Sequence, residues 1–299
     1  MKSTLGIISP GNMGSGVGKF LVGGGFRVVA PLIHRSDFTR SRAKAIGIED
    51  VGSLEACIES ADIVLSILDP AKALDVAKQV AIAMRKLGRS KPFVDCNATS
   101  PATAVKMFEI FKDAGGHFID VGIIGGAPTR KENFPVFFAS GPRAKMLDFL
   151  DGHGLRVVNL GTEVGRGSAI KICNGAWNKG AFALYAAVMM AAERYGFTEV
   201  LRERLPNSQA GTVEKIDAAL NRLPSLSERY VGEMEQVAET YSGIGIPAGF
   251  HEAAAETFRM LNTTSLGNER RETIDNDRNP LEVLAKIVAD LDLREKNKS

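Results

Sequence analysis

The chain has 299 residues, enough for one large domain or two smaller ones, and its 44% hydrophobic and 24% charged residues describe an ordinary soluble globular protein. A net charge of +2 is too small to argue for a nucleic-acid partner. No signal peptide is visible, since the N-terminus passes straight into a strand, so a cytoplasmic protein is expected.

Thr4–Ile8 reads as a short apolar strand. It leads through Ser9-Pro10-Gly11-Asn12-Met13-Gly14 into a helix to about Val22, with Val17, Phe20 and Leu21 at helical spacing. Gly23-Gly24-Gly25 stops that helix, because glycine accepts the left-handed conformation. The second strand is expected over Phe26–Ile33, ending or bulging at Pro31, which cannot donate to a sheet ladder. A helix then runs towards Gly47. Asp62–Leu68 is a continuous apolar run, as in a parallel strand covered on both faces, and Asp69-Pro70 starts a helix to about Leu87. Pro92–Asp95, His117–Val121, Val136–Ser140 and Val157–Leu160 are further strands, with helices over Pro101–Ala114 and Pro142–Leu150. This alternation predicts an α/β fold with a doubly wound, Rossmann-type parallel sheet.

After Gly165 the pattern changes. Gly167–Tyr195 reads as one long, mostly apolar helix. Its most apolar run, Gly180–Ala192, falls short of the roughly 20 residues of a membrane span and is flanked by Lys179 and Glu193, so no membrane partner is expected. Glu199–Leu205, Thr212–Leu223, Leu226–Tyr241, Pro247–Leu261 and Pro280–Leu291 all read helical, and the tail from Arg294 is charged and expected to fray. The expected division is a dinucleotide-binding domain over residues 1–164 and an all-α substrate and dimerisation domain over 165–299.

A strand, a tight glycine turn and a helix start make a phosphate cradle, because unpaired N–H groups there point outward beside the positive end of the helix dipole. Gly11 and Gly14 would let a pyrophosphate approach, although Ser9 stands where the G-x-G-x-x-G pattern has its first glycine. The alternative is a plain strand-to-helix turn. An NAD site usually places Asp or Glu about 20 residues on, to hold the ribose hydroxyls. This chain has His34 and Arg35 there, and a guanidinium pairs with the 2′-phosphate that a carboxylate would repel. Arg35 and Ser36, with Arg40 or Ser41 a helical turn away, therefore predict NADP(H) in preference to NAD(H); the plainer alternative makes Arg40 and Arg42 a solvated helix face. Leu68, Asp69 and Asn97, at the ends of the next two strands, complete the expected cofactor set with Ser9, Pro10, Asn12 and Met13.

Three stretches together resemble the β-hydroxyacid dehydrogenase and 6-phosphogluconate dehydrogenase superfamily. They are Pro10-Gly11-Asn12-Met13-Gly14; Asp95 to Pro101 with Asp120 to Gly126; and Gly165-Arg166-Gly167-Ser168-Ala169-Ile170-Lys171-Ile172-Cys173-Asn174, which is similar to the family's G-x-G-x-x-x-K-x-x-N. Arg229 and Gly232-Glu233-Met234 in the helical tail look more like its phosphogluconate-dehydrogenase-like branch. The resemblance implies that Lys171 is the acid/base of a hydride transfer, and that the chain forms a homodimer through its helical half. Independently, Lys171, Asn174 and Asn178 share one helix face, where an amine and two amides need partners or a ligand pocket between the domains. Asn174 would orient the substrate oxygen.

The substrate loops depart from the family. Asn97 and Ala98 replace its serine and threonine, and Ile124-Gly125-Gly126 replaces its S-G-G. The N–H groups of Gly125 and Gly126 could still hold a carboxylate beside an apolar wall, which predicts a bulkier or less polar substrate than a small hydroxy acid. Arg130 and Lys131 either greet an acidic group or decorate a surface loop, and Asp120 reads as structural. Glu233 and Glu235 lie in a charged helix read as a solvated or subunit-facing surface. Cys57, Cys96 and Cys173 are expected to be buried thiols, and His34, His117, His153 and His251 have no metal-ligand spacing, so no metal is expected. The expected function is an NADP-dependent oxidoreductase interconverting a carbonyl and an alcohol. The alternatives are an imine reductase of the same fold and a non-catalytic NADPH-binding protein.

Overall fold

The structure is a computed structural model and describes residues 3–125, 135–269, 274–275 and 277–296. Contacts divide the chain into two compact units, residues 1–172 and 173–299.

The first unit alternates strands and helices: β1 (Thr4–Ile8), α1 (Asn12–Gly23), β2 (Arg27–Ala30), α2 (Asp37–Ala45), β3 (Glu49–Asp50), α3 (Leu54–Ser60), β4 (Ile63–Ser66), α4 (Pro70–Leu87), β5 (Pro92–Asp95), α5 (Pro101–Asp113), β6 (His117–Ile124), β7 (Val136–Ser140) and β8 (Arg156–Asn159). The sheet order is β3-β2-β1-β4-β5-β6-β7-β8, so the chain reverses direction across the sheet between β1 and β4. That switch point opens a crevice at the carboxyl ends of the strands, where open α/β sheets take their ligands. Buried side chains cover both faces: Leu5, Ile7, Leu65 and Val94 belong to one cluster, and Ile8, Val64, Phe93 and Phe111 to the other.

Four of the helices in the first unit start where a short polar side chain caps them. Ser36, Ser53, Asp69 and Ser100 each accept a backbone N–H in the first turn of α2, α3, α4 and α5. Gly88 ends α4 in the left-handed conformation at φ +61°. β2 stops at Ala30, one residue before Pro31, and Leu32 N–H donates instead to Asp50 Oδ1.

Three features differ from expectation. β3 and α3 carry no hydrophobic pattern long enough to read from sequence; β3 is two exposed acidic residues paired to Val29 and Ala30. The stretch at Pro142–Leu150 is a 3-10 helix over Ala144–Leu150. The sheet is not wholly parallel, because β7 runs antiparallel to β6. The chain between Ile124 and Val136 is too short for the helical crossover that a parallel pair requires.

The second unit is helical. α6 (Arg166–Arg194) begins in the first unit and continues into the second, followed by α7 (Thr198–Ser208), α8 (Thr212–Leu220), α9 (Leu223–Ser242), α10 (Gly249–Asn262) and α11 (Pro280–Lys296). Met234, Val237, Phe258, Leu261, Leu284 and Ile287 are among its buried residues. Glu233 is mostly buried rather than solvated: Lys179 and Arg229 pair with it at 2.5 and 2.7 Å. Burial opposes its charge, but these two cations hold its carboxyl below the usual range. Cys57 and Cys96 are buried, whereas Cys173 is exposed, contrary to expectation. No helix among the described residues is long and apolar enough to cross a membrane.

Candidate functional site

The turn from β1 to α1 is strained. Ser9 sits at φ +64°, the conformation for which the fingerprint uses glycine, and no other non-glycine residue described has a positive φ. The turn is tied internally by Gly11 N–H donating to Ser9 O at 2.7 Å. Gly14 is demanded by packing, since a Cβ there would lie 2.9 Å from Ser9 O. Gly11 is not: a Cβ there would meet nothing closer than 3.9 Å. As the N-cap of α1, Gly11 therefore leaves open the space beside the outward N–H groups of Asn12, Met13 and Gly14, as a pyrophosphate requires. The residues present fit a dinucleotide.

Beyond β2, His34, Arg35 and Ser36 are exposed. Arg35 N–H donates to Leu32 O in a tight turn at 3.0 Å, which leaves its side chain at the carboxyl end of the strand. Ser36 caps α2 through Thr39 N–H at 3.3 Å, and Arg40 Nε donates to Leu32 O at 3.0 Å. Arg42 is the residue that sequence reasoning missed. It is no solvated cation: its Nη2 donates to Pro10 O, in the glycine turn, at 2.9 Å. The sequence offered no signal for this contact, which spans 32 positions.

The loops after β4 and β5 are pinned together by Asn97. Its Oδ1 accepts Leu68 N–H at 2.6 Å, and its Nδ2 donates to Ser66 Oγ at 3.0 Å and Asp95 Oδ1 at 2.5 Å. Asn97 is 2% exposed. Both donors of its amide and one lone pair of its oxygen bond inside the protein, so its side chain positions these loops. Leu68 is half-buried and Asp69 exposed, with the Asp69 carboxylate committed to Ala71 N–H at 3.1 Å; Ala98 is half-buried.

Asp95 and Asp120 are register neighbours on β5 and β6, and both are fully buried. Asp120 anchors the start of α6: Oδ2 accepts the N–H groups of Gly165 and Ser168 at 3.0 Å and Ser140 Oγ at 2.9 Å, while Oδ1 accepts Ser168 Oγ at 2.6 Å. This is the structural role its sequence context suggested. Burial, and then the charge of Asp120, push the Asp95 carboxyl up to about 7, against the opposing pull of Asn97, Lys171 and Thr99. The start of α6 lies so close to the sheet that a Cβ on Gly167 would fall 2.6 Å from Phe138 O and 2.8 Å from Asp120 O. One turn later Lys171 lies over Gly122, where a Cβ would meet the Lys171 Cβ at 3.1 Å. Lys171 Nζ donates to Cys96 O at 3.3 Å, at the carboxyl end of β5. The structure thus brings an ammonium, two buried carboxylates and the β5–α5 loop together.

In the second unit, Asn178 Nδ2 donates to the backbone and side-chain oxygens of Asn174 at 2.8 and 3.2 Å. Gly125 is exposed at φ +126°; Gly126, Arg130 and Lys131 lie outside the described residues.

Residues 4–151 match the NAD binding domain of 6-phosphogluconate dehydrogenase, and residues 192–261 match a domain of unknown function. Together these matches are to the β-hydroxyacid dehydrogenase-like superfamily. Within that superfamily it is 24% identical over 243 residues to the mitochondrial 3-hydroxyisobutyrate dehydrogenase of Mus musculus, covering 77% of this chain and 71% of that one. It is 29% identical over 175 residues to an uncharacterized 28.5 kDa protein from the 7S RNA 5′ region of Methanothermus fervidus. That match covers 58% of this chain and 65% of the relative, so the chain spans just under two thirds of the relative's length. Among solved structures it is similar to the conserved protein MTH1747, of unknown function and described as structurally similar to 3-hydroxyacid dehydrogenases. The TM-score is 0.68 at 26% identity, covering 87% of this chain and 96% of that one. A Rossmann-like sheet followed by a helical half, as in hydroxyacid dehydrogenases, is the architecture seen here.

Proposed function

We propose that the chain is an NADP-dependent oxidoreductase that moves a hydride between nicotinamide and the carbonyl or alcohol carbon of a small-molecule substrate. The observation that carries this reading is Lys171, held on α6 over Gly122 with Nζ 3.3 Å from Cys96 O, where the sheet opens to ligands. When bound, the dinucleotide supplies or takes up the hydride. The Lys171 ammonium stabilises the negative charge that builds on the substrate oxygen and hands it a proton; in the reverse direction the neutral amine removes that proton. Asn174, one turn further along α6, orients the same oxygen, and Asn178 holds Asn174. The backbone N–H of Gly125 meets a substrate carboxylate, beside an apolar wall at Ile124 that favours a substrate bulkier than a small hydroxy acid.

The preference for NADP rests on Arg35, with His34, Ser36 and Arg40, at a position that has no carboxylate to repel a 2′-phosphate. A domain boundary at residues 164–165, one residue before α6 begins, remains our reading of where cofactor binding ends and the substrate and dimerisation part starts. Trp177, Leu184 and Val188 are 79, 50 and 39% exposed on one face of α6, and Tyr195, in the turn just past its end, is 79% exposed, which supports pairing with a second copy of the chain. The assembly is then a cytoplasmic homodimer with a small-molecule substrate and neither nucleic acid nor membrane as partner.

The reading is tested by following NADPH absorbance against 2- and 3-oxo acids, bulkier ketones and cyclic imines. Oxidation with a ketone supports the proposal, and oxidation with imines alone replaces it by imine reduction. Tight NADPH binding with no turnover on any compound overturns it in favour of a binding protein.

A further inference from the structure

Ser9 holds a backbone conformation that costs a non-glycine residue about 1 kcal/mol or more, and such strain persists only where the surroundings over-determine it. The next carbonyl in the chain, that of Pro10, accepts two donors: Ser15 Oγ at 2.6 Å and Arg42 Nη2 at 2.9 Å. Ser15 belongs to α1 and travels with the turn. Arg42 belongs to α2, on the far side of β2, and so ties the turn to a separate element. The Phe38 ring, one turn earlier on α2, lies 5.2 Å from the Arg42 guanidinium carbon and steadies it. Arg42 Nε is buried with no hydrogen-bond partner among the described residues, so its hold on Pro10 is not shared with another protein acceptor at that nitrogen.

We propose that Arg42 is a positioning residue for dinucleotide binding. It clamps the strained Ser9–Pro10 turn so that the N–H groups at the start of α1 stand ready for the pyrophosphate. This rests on reading the turn as the dinucleotide site. Because pyrophosphate is common to both dinucleotides, the clamp acts on NADPH and NADH alike, whereas Arg35 acts on the 2′-phosphate alone.

The test is the Kd of both dinucleotides for the full chain by calorimetry, with the unfolding midpoint and amide hydrogen exchange at Asn12–Gly14 measured on the ligand-free protein. Arg42→Ala should weaken NADPH and NADH each by about tenfold and raise exchange at those amides, and Arg42→Lys should recover most of the loss. With Ser9→Gly, which removes the strain, Arg42→Ala should cost about threefold or less. The clamp is overturned if Arg42→Ala leaves both Kd values and exchange unchanged, weakens NADPH alone, or adds in full to Ser9→Gly. A wild-type chain that binds neither dinucleotide sinks the dinucleotide reading and the ligand role of Arg42 with it. In that case exchange unaltered by Arg42→Ala also removes the structural clamp.

Discussion

Gly122 on β6 and Gly167 on α6 face each other with no room for a side chain on either: a Cβ on Gly122 would collide with the Gly167 carbonyl oxygen. This contact explains the second glycine of the G-x-G-x-x-x-K stretch. It sets the distance of α6 from the sheet, and with it the position of Lys171 one turn later. Gly167→Ala is expected to destabilise the chain by roughly 3 kcal/mol or more, because both colliding groups are backbone. Gly23→Ala, in a helix with nothing within 4 Å, should be neutral or slightly stabilising. Denaturant melts of the two variants make the comparison.

Asp120 fixes the same helix start by electrostatics. Its four accepted hydrogen bonds are all buried, and an amide can accept at one oxygen only. Asp120→Asn should therefore lose about 2–4 kcal/mol of stability. Little or no change in the unfolding midpoint would refute the anchoring role.

The buried Asp95 carboxyl gives a pH signature. Its folded value, raised to about 7, lies above that of an unfolded aspartate, so the folded state holds the proton more tightly. The stability that this proton contributes is fully present below about pH 4. It is lost progressively as pH rises through about 7, for a total of a few kcal/mol. Asp95→Asn should keep the contacts to Asn97 and Thr99, whose hydroxyl can turn to accept, and should flatten that part of the profile. The measurement is the difference between wild-type and variant stability from pH 4 to 8; a constant difference would contradict it.

For the chemistry, Lys171→Met should lower kcat by about a hundredfold or more while dinucleotide Kd changes little. Stopped-flow turnover and calorimetry together separate the two quantities. Retained turnover would remove Lys171 as the acid/base.

For the cofactor, Arg35→Ala should weaken NADPH by about tenfold or more and leave NADH nearly unchanged, since a charge-assisted contact to phosphate is the interaction removed. Equal losses for both dinucleotides would refute the 2′-phosphate assignment.

Much of the fold was written locally. Asp69-Pro70 and Pro101 announce their helices, and the apolar runs at β4 and β5 announce buried strands, because each signal acts within a few residues. β3 stayed invisible because two exposed acidic residues carry no hydrophobic pattern and become a strand only by pairing with β2. The antiparallel turn of β7 was likewise a matter of connection length and partner rather than of the strand's own sequence.

The site divides along the same line. From the chain alone came the glycine turn, the basic residues after β2 and the lysine motif, since these are residue types at fixed spacing whose chemistry does not depend on distant partners. Only the tertiary structure decided that Ser9 takes the left-handed conformation, that Arg42 braces the turn, that Asn97 faces inward, and that Asp95 sits beside Asp120. Each of these depends on atoms brought together across tens of residues, and burial then decides whether a polar group is free to meet a ligand or must bond within the protein.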